Sequence, residues 1–204
     1  MNTLENLYKG NKDQVDYSKA YVSYLIDILN QLDHKTVARI IEIFQNVDKE
    51  RKRVYFAGNG GSASTCGHFV NDLHAGSLRH GGGGFRLIDL TSNISSVTAL
   101  ANDLGYEEIF VRQIDGVMNP GDALVVISAS GNSKNLVRAV ECAKRQDVKT
   151  IGLLGFDGGI LKGLCDLSLV VSTAQGQYGP VEDIHLILNH LISTFLTFSK
   201  KCNS

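Results

Sequence analysis

From residue 53 onward, short apolar runs alternate with stretches of helical periodicity, and this alternation decides the architecture. The runs are RVYFA (53–57), FRLIDL (85–90), ALVVIS (123–128), KTIGLLG (149–155) and LSLVVS (167–172). GSASTCGHFVNDL continues from the first run as a helix. SSVTALAND (95–103), EEIFVRQIDGVM (107–118) and SKNLVRAVECAKRQ (133–146) also read as helices, and VEDIHLILNHLISTFL (181–196) closes the series. In 133–146 the apolar positions are Leu136, Val137, Val140 and Ala143, one face of a helix. Strands that are apolar nearly throughout suit a parallel sheet covered on both faces. The expected fold is α/β: a three-layer αβα sandwich with a mainly parallel sheet. Ligands of such sheets sit at the carboxyl ends of the strands.

Residues 14–50 carry two more helical patterns. Tyr21, Leu25, Ile28 and Leu29 recur at spacings of three and four, as do Val37, Ile40, Ile41 and Phe44, with Asp33 as a cap for the second helix. The chain therefore divides into an N-terminal helical arm, 1–52, and one compact unit, 53–204. Two readings of the arm stay open: it covers one sheet face, or it packs against a second subunit.

Composition narrows the function classes. The 204 residues suit one domain with an arm, and 43% hydrophobic with 20% charged residues is ordinary for a soluble protein. A net charge of −1 argues against a strong electrostatic grip on nucleic acid. Cys66, Cys142, Cys165 and Cys202 show no paired spacing and read as reduced thiols of a cytoplasmic protein. The N-terminus MNTLENLYKGNKDQ lacks the apolar core of a signal peptide, and no apolar run approaches the ~20 residues of a membrane helix, so no membrane partner is expected. HGGGG (80–84) reads as a flexible surface connection; without a G-x-S-x-G elbow it is no esterase oxyanion loop.

One device appears twice. GNGGS follows the first strand and SASGNS the third, and each opens a helix. Glycine lets the backbone approach an anion, and the free N–H groups and positive dipole end of the following helix hold negative charge. Serine hydroxyls add donors without bulk. Two such loops at neighbouring strand ends suit one phosphate and the sugar hydroxyls beside it. Read structurally, they are two helix caps. GNGGSA also fits the dinucleotide pattern G-x-G-x-x-A, but Asp89 lies beyond the usual ~20-residue spacing and such a site needs no second loop.

His68 and Asp72, four apart on a helix, share one face. Glu182, Asp183, His185 and His190 gather near the other end of the chain. These are enough imidazole and carboxylate for an acid–base pair or one divalent metal. Glu182 and His190 are separated by ~12 Å of rise in a regular helix. For both to serve one point, Glu182 must sit in a frayed first turn, or the two must serve different copies of the chain. His34, His74, His80 and His185 are assigned structural roles.

GNGGSA with H-x-x-x-D, ANDLGYEEIF, ISASGNSKN, LLGFDGGILKGLCD and VEDIHLILNHLI follow in the order seen in the sedoheptulose 7-phosphate (phosphoheptose) isomerases of the sugar isomerase (SIS) domain superfamily, which the chain resembles over about residues 15–198. The resemblance implies an aldose–ketose isomerase acting in bacterial surface polysaccharide synthesis, a homotetramer with sites at subunit interfaces, and in several members zinc. It assigns substrate contacts to Asn59, Gly60, Ser62, Asp103, Ser128, Ser130, Asn132, Ser133 and Glu182. It places metal-binding and catalytic positions on His68, Asp72, Glu182 and His190; of these, Asp72 is read as the base and His190 as the partner acid, or the four as holding a zinc ion that polarises the carbonyl instead. The chain departs from the family pattern at Asp72 (usually glutamate), Glu182 (usually glutamine), Ala129 (a threonine) and Gly179 (an aspartate). The rival expectation is a non-catalytic SIS scaffold, a phosphosugar sensor, or an isomerase of another sugar phosphate.

Overall fold

A computed structural model describes residues 3–79 and 84–202, apart from the side chains of Ser77, Arg79 and Cys202. His80 and all of the HGGGG run except Gly84 lie outside the described residues. In chain order the elements are α1 (Thr3–Gly10), α2 (Gln14–Leu29), α3 (His34–Lys49), β1 (Arg53–Gly58), α4 (Gly61–Arg79), β2 (Arg86–Asp89) and α5 (Ile94–Leu104). A 3₁₀ turn (Tyr106–Glu108), α6 (Val111–Ile114), β3 (Ala123–Ser128), α7 (Lys134–Arg145), β4 (Lys149–Gly155), α8 (Gly159–Leu164), β5 (Leu167–Val171) and α9 (Tyr178–Cys202) complete it.

The five strands form one parallel sheet in the order β2-β1-β3-β4-β5. Alternate residues feed opposite faces. Val54, Phe56, Val125, Ile127, Ile151 and Leu153 join one core with α3, α4 and α9. Tyr55, Ala57, Leu124, Val126 and Leu154 join the other, with the α6 and α7 layer. The expected sandwich is thus present. β1 leads outward to β2 while β3 starts the other half, so the order reverses between β1 and β3. The carboxyl ends of these two strands are where a ligand crevice is expected, and both Gly–Ser–Asn loops leave from them.

Of the two open readings of the arm, the first describes α3. Val37, Ile40, Ile41, Phe44 and Val47 are buried in the sheet core, and Asp33 caps the helix by accepting from Lys35 N and Thr36 N. Only Ile28 of α2 is buried, and Val15, Val22 and Ile26 stay exposed. The helix expected at 107–118 is instead a 3₁₀ turn and one turn of α-helix. Three consecutive residues there, Ile109, Phe110 and Val111, are all buried, which one face of a regular helix does not allow. Among the described residues no helix is long and apolar enough to cross a membrane. Cys66, Cys142 and Cys165 are buried and unpaired.

Candidate active site

Gly60 adopts φ +56°, turning the chain sharply after β1. The Asn59 and Gly60 carbonyls then accept from Ser62 N and Ala63 N and open α4. In the second loop Gly131 has φ +63°, and a side chain there would strike the Gly158 carbonyl. Ser128 Oγ accepts from Gly131 N at 3.1 Å. Ser133 stands at the N-cap of α7 without a side-chain bond to the helix, and Asn135 Oδ1 accepts from Leu136 N at 2.9 Å.

The loops are tied together by an amide pair. Asn59 Nδ2 donates to Asn135 Oδ1 at 3.1 Å, and Asn135 Nδ2 donates to Asn59 Oδ1 at 2.8 Å. Tyr106 Oη donates to the same Asn59 oxygen at 2.8 Å. Between the loops lies a cavity of about 160 Å³ lined by Asn59, Ser62, Ser128, Ser130, Ser133, Tyr178 and Glu182, with Ile127 and Ala129. Six residues expected to contact substrate therefore converge here. Asn132 turns its amide aside, donating to Ser130 O and accepting from Ile160 N, and so holds the loop against α8. Asp103 is exposed on α5, accepting from Asn102 Nδ2, and neither it nor Gly60 lines the cavity.

The chemistry-bearing helices are α4 and α9, which lie side by side and run the same way. Gly61 meets Glu182, His68 meets His190, Asp72 meets Asn189 and Gly76 meets Thr197. A Cβ on Gly61 or Gly76 would run into the Glu182 carboxyl or the Thr197 hydroxyl, so these glycines allow the close approach. Glu182 is the fifth residue of α9, past the first turn, so the frayed-turn alternative is not realised. Burial, and then the charge of Asp183, push its carboxyl above the usual carboxylate range.

Two turns further along the pair, His68, Asp72 and His190 form a cluster whose ligand atoms all lie within 4.8 Å of one another. His68 Nε2 is 3.3 Å from Asp72 Oδ2, His190 Nε2 is 3.7 Å from the same oxygen, and the two Nε2 atoms are 3.3 Å apart. Ligands at ~2.0–2.1 Å from a tetrahedral zinc stand ~3.4 Å from one another, so the triangle fits such an ion and leaves a fourth position open. Glu182 is not part of this group. His185, on the same helix, is fully buried, and its Nε2 lies 3.2 Å from Leu154 O.

Asn135, Tyr106, Tyr178 and Asn189 were not among the expected site residues. Asn135 ends the quoted ISASGNSKN stretch, so its place beside the loop was the available signal. The Tyr21 hydroxyl lies 3.4 Å from where a Cβ on Gly179 would stand, an ordinary contact, and donates to Asp183 at 2.7 Å.

A parallel sheet with paired Gly–Ser–Asn loops at its switch point and an imidazole–carboxylate cluster along the same helix pair defines an α/β protein of the sugar isomerase class, and the SIS domain family model matches residues 17–155. A phosphoheptose isomerase of Helicobacter pylori (strain ATCC 700392 / 26695) is 39% identical over 189 residues, covering 93% of both chains. That of a Nitratiruptor species is 38% identical over 148 residues, 72% of this chain and 78% of the relative. The chain belongs to the phosphoheptose isomerase family, a family of aldose–ketose isomerases. The structure of the phosphoheptose isomerase from Neisseria gonorrhoeae shares the fold, with a TM-score of 0.80 at 24% identity over 90% of this chain and 98% of that one.

Proposed function

We propose that the protein interconverts sedoheptulose 7-phosphate and a heptose 7-phosphate through a cis-enediol, in the cytoplasm, for bacterial surface polysaccharide such as lipopolysaccharide or capsule. The observation that carries this reading is the placing of two sites along one helix pair. The loop cavity adjoins Gly61, and the cluster begins at His68, seven residues or ~10 Å further along α4. A seven-carbon sugar carries its phosphate on C7 and reacts at C1 and C2, so its two ends match two sites set apart in this way.

Ser128, Ser130 and Ser133, with the first backbone N–H groups of α7, hold the phosphate. Asn59, Ser62 and Glu182 meet the sugar hydroxyls, Asp103 reaches them from α5, and Gly60 and Asn132 shape the loops. Asp72 removes the carbon-bound proton, and His190 donates a proton to the carbonyl oxygen. Reversal at the neighbouring carbon completes the transfer, with no net change in protons. In the alternative, a zinc ion held by His68, Asp72 and His190 would polarise the carbonyl instead of the His190 proton, with Asp72 shifting between ligand and base. Glu182, ~12 Å along α9 from His190, joins that set only from a neighbouring copy. The active form is a homotetramer, supported by the apolar face of α9 that also carries His190.

The test is turnover of sedoheptulose 7-phosphate by wild type, Asp72→Asn and His190→Gln. Each substitution is expected to lower kcat by ~10²–10⁴, the usual worth of a general acid or base. Equal rates in all three would remove both roles, and a wild type that binds the sugar phosphate without turnover would leave a sensor or scaffold.

A further inference from the structure

Asn189 precedes His190 on α9 and lies deeper in the seam with α4, where it is 0% exposed. Its Nδ2 donates to Asp72 Oδ2 at 2.9 Å. This is the oxygen that stands 3.3 Å from His68 Nε2 and 3.7 Å from His190 Nε2. An ionised carboxylate only accepts, so the NH₂ end of the amide must face it. That orientation leaves Asn189 Oδ1 buried with no partner among the described residues.

Such an orphaned oxygen costs about 1–3 kcal/mol, and an apolar side chain of the same shape would avoid the cost. The buried side of α9 is apolar at Val181, Ile184, Leu188, Ile192 and Leu196, and beside them His185, Asn189, Ser193 and Thr197 form a buried polar stripe at spacings of four. Within that stripe an amide with an orphaned oxygen gives folding no advantage over an apolar side chain of the same shape. What it supplies is a donor fixed by the core and aimed at a short carboxylate on the neighbouring helix. Among the described residues, the other Asp72 oxygen meets only the Asn71 amide, at 3.4 Å.

We propose that Asn189 is a positioning residue. It sets the rotation of the Asp72 carboxylate so that one oxygen faces both imidazoles, and thereby sets how tightly His68, Asp72 and His190 hold a divalent cation. This rests on the reading of that cluster as a cation site.

Co²⁺ titration of the full-length protein, followed by calorimetry and by the visible absorption of the bound ion, tests it with wild type, Asn189→Leu and Asn189→Ala. Losing a partner that orients a metal ligand typically weakens affinity 10- to 100-fold, and that loss is expected in both variants, with a changed Co²⁺ spectrum. In chelator, Asn189→Leu should unfold at the same urea concentration as wild type or higher. Equal Co²⁺ affinity in all three proteins overturns the proposal. So does a loss of affinity in Asn189→Leu matched by a loss of stability in chelator, because a packing role alone accounts for it. A wild type that isomerises sugar phosphate yet binds no Co²⁺ or Zn²⁺ removes the cation site and the proposal with it, while leaving the proposed activity standing.

Discussion

His68 and His190 point their Nε2 atoms at each other across 3.3 Å, although 122 positions separate them in the chain. Asp72 Oδ2 closes the triangle, and on the proposed reading its occupant is a divalent cation. Protein purified without chelator should therefore retain about one divalent ion per chain. His68→Gln and His190→Gln should each weaken Zn²⁺ binding more than ~100-fold, beyond the loss typical of a residue that only orients a ligand. Metal analysis and calorimetry read this directly, and full metal content in the double variant would rule the site out.

The reciprocal amide bonds between Asn59 and Asn135 fasten the first loop to the start of α7. Asn135 is 2% exposed, so Asn135→Ala leaves the Asn59 amide short of a partner in a half-buried place. A loss of about 1–3 kcal/mol in unfolding free energy is expected, with a raised KM as the loops separate. Because both residues share the same bonds, Asn59→Ala and Asn135→Ala should be non-additive by ~0.5–3 kcal/mol in a double-mutant cycle on phosphosugar affinity. Additive effects would show that the loops are placed independently of each other.

The two histidine–carboxylate helices were legible as helices, and the loops as glycine turns that open helices, because periodicity and glycine placement are local signals. Their relative register was not. That Gly61 lies on Glu182, and Asp72 on Asn189, follows from how the helices pack across the sheet, which no spacing within either segment encodes. The same gap hid Asn189, one more polar residue on a helix until α4 is laid beside it. It also left Glu182 with two readings, and the continuity of α9 through Tyr178 removed one. EEIFVRQIDGVM misled because its apolar content is real while its geometry is tighter than a helix: Ile109, Phe110 and Val111 all point inward. α8 was too short to show a period at all.

His185 gives stability a pH dependence of defined sign. Full burial pushes its imidazole down to about 4 from an ordinary 6.5. The unfolded chain therefore takes up the proton first as pH falls. Its contribution is complete above pH 6.5 and is lost progressively toward pH 4. Over that window the loss amounts to about 3 kcal/mol. Urea unfolding at a series of pH values, in chelator, should show this slope in wild type and less of it in His185→Gln, which cannot titrate. An identical slope in the variant would assign the acid sensitivity to other groups.

The outer face of α9 exposes Ile187, Leu191, Phe195 and Phe198, spaced four, four and three apart so that they form one stripe. With His190, Thr194 and Ser199 they line an open apolar hollow of about 890 Å³. A second copy seated there would cover His190 and dry the cluster, which strengthens every charge interaction within it. Burying a large apolar side chain is worth ~1.5–3 kcal/mol, so replacing two of them on each facing surface weakens association by several orders of magnitude. Leu191→Asp with Phe195→Asp is therefore expected to yield a folded monomer by light scattering, with circular dichroism unchanged and isomerase activity reduced at least as far as in His190→Gln. If the wild type is oligomeric and the doubly substituted protein keeps its mass in solution, this face is not the interface, and exposed Val15, Val22 and Ile26 on α2 are the next candidates; a wild type that is itself a monomer removes the proposed assembly.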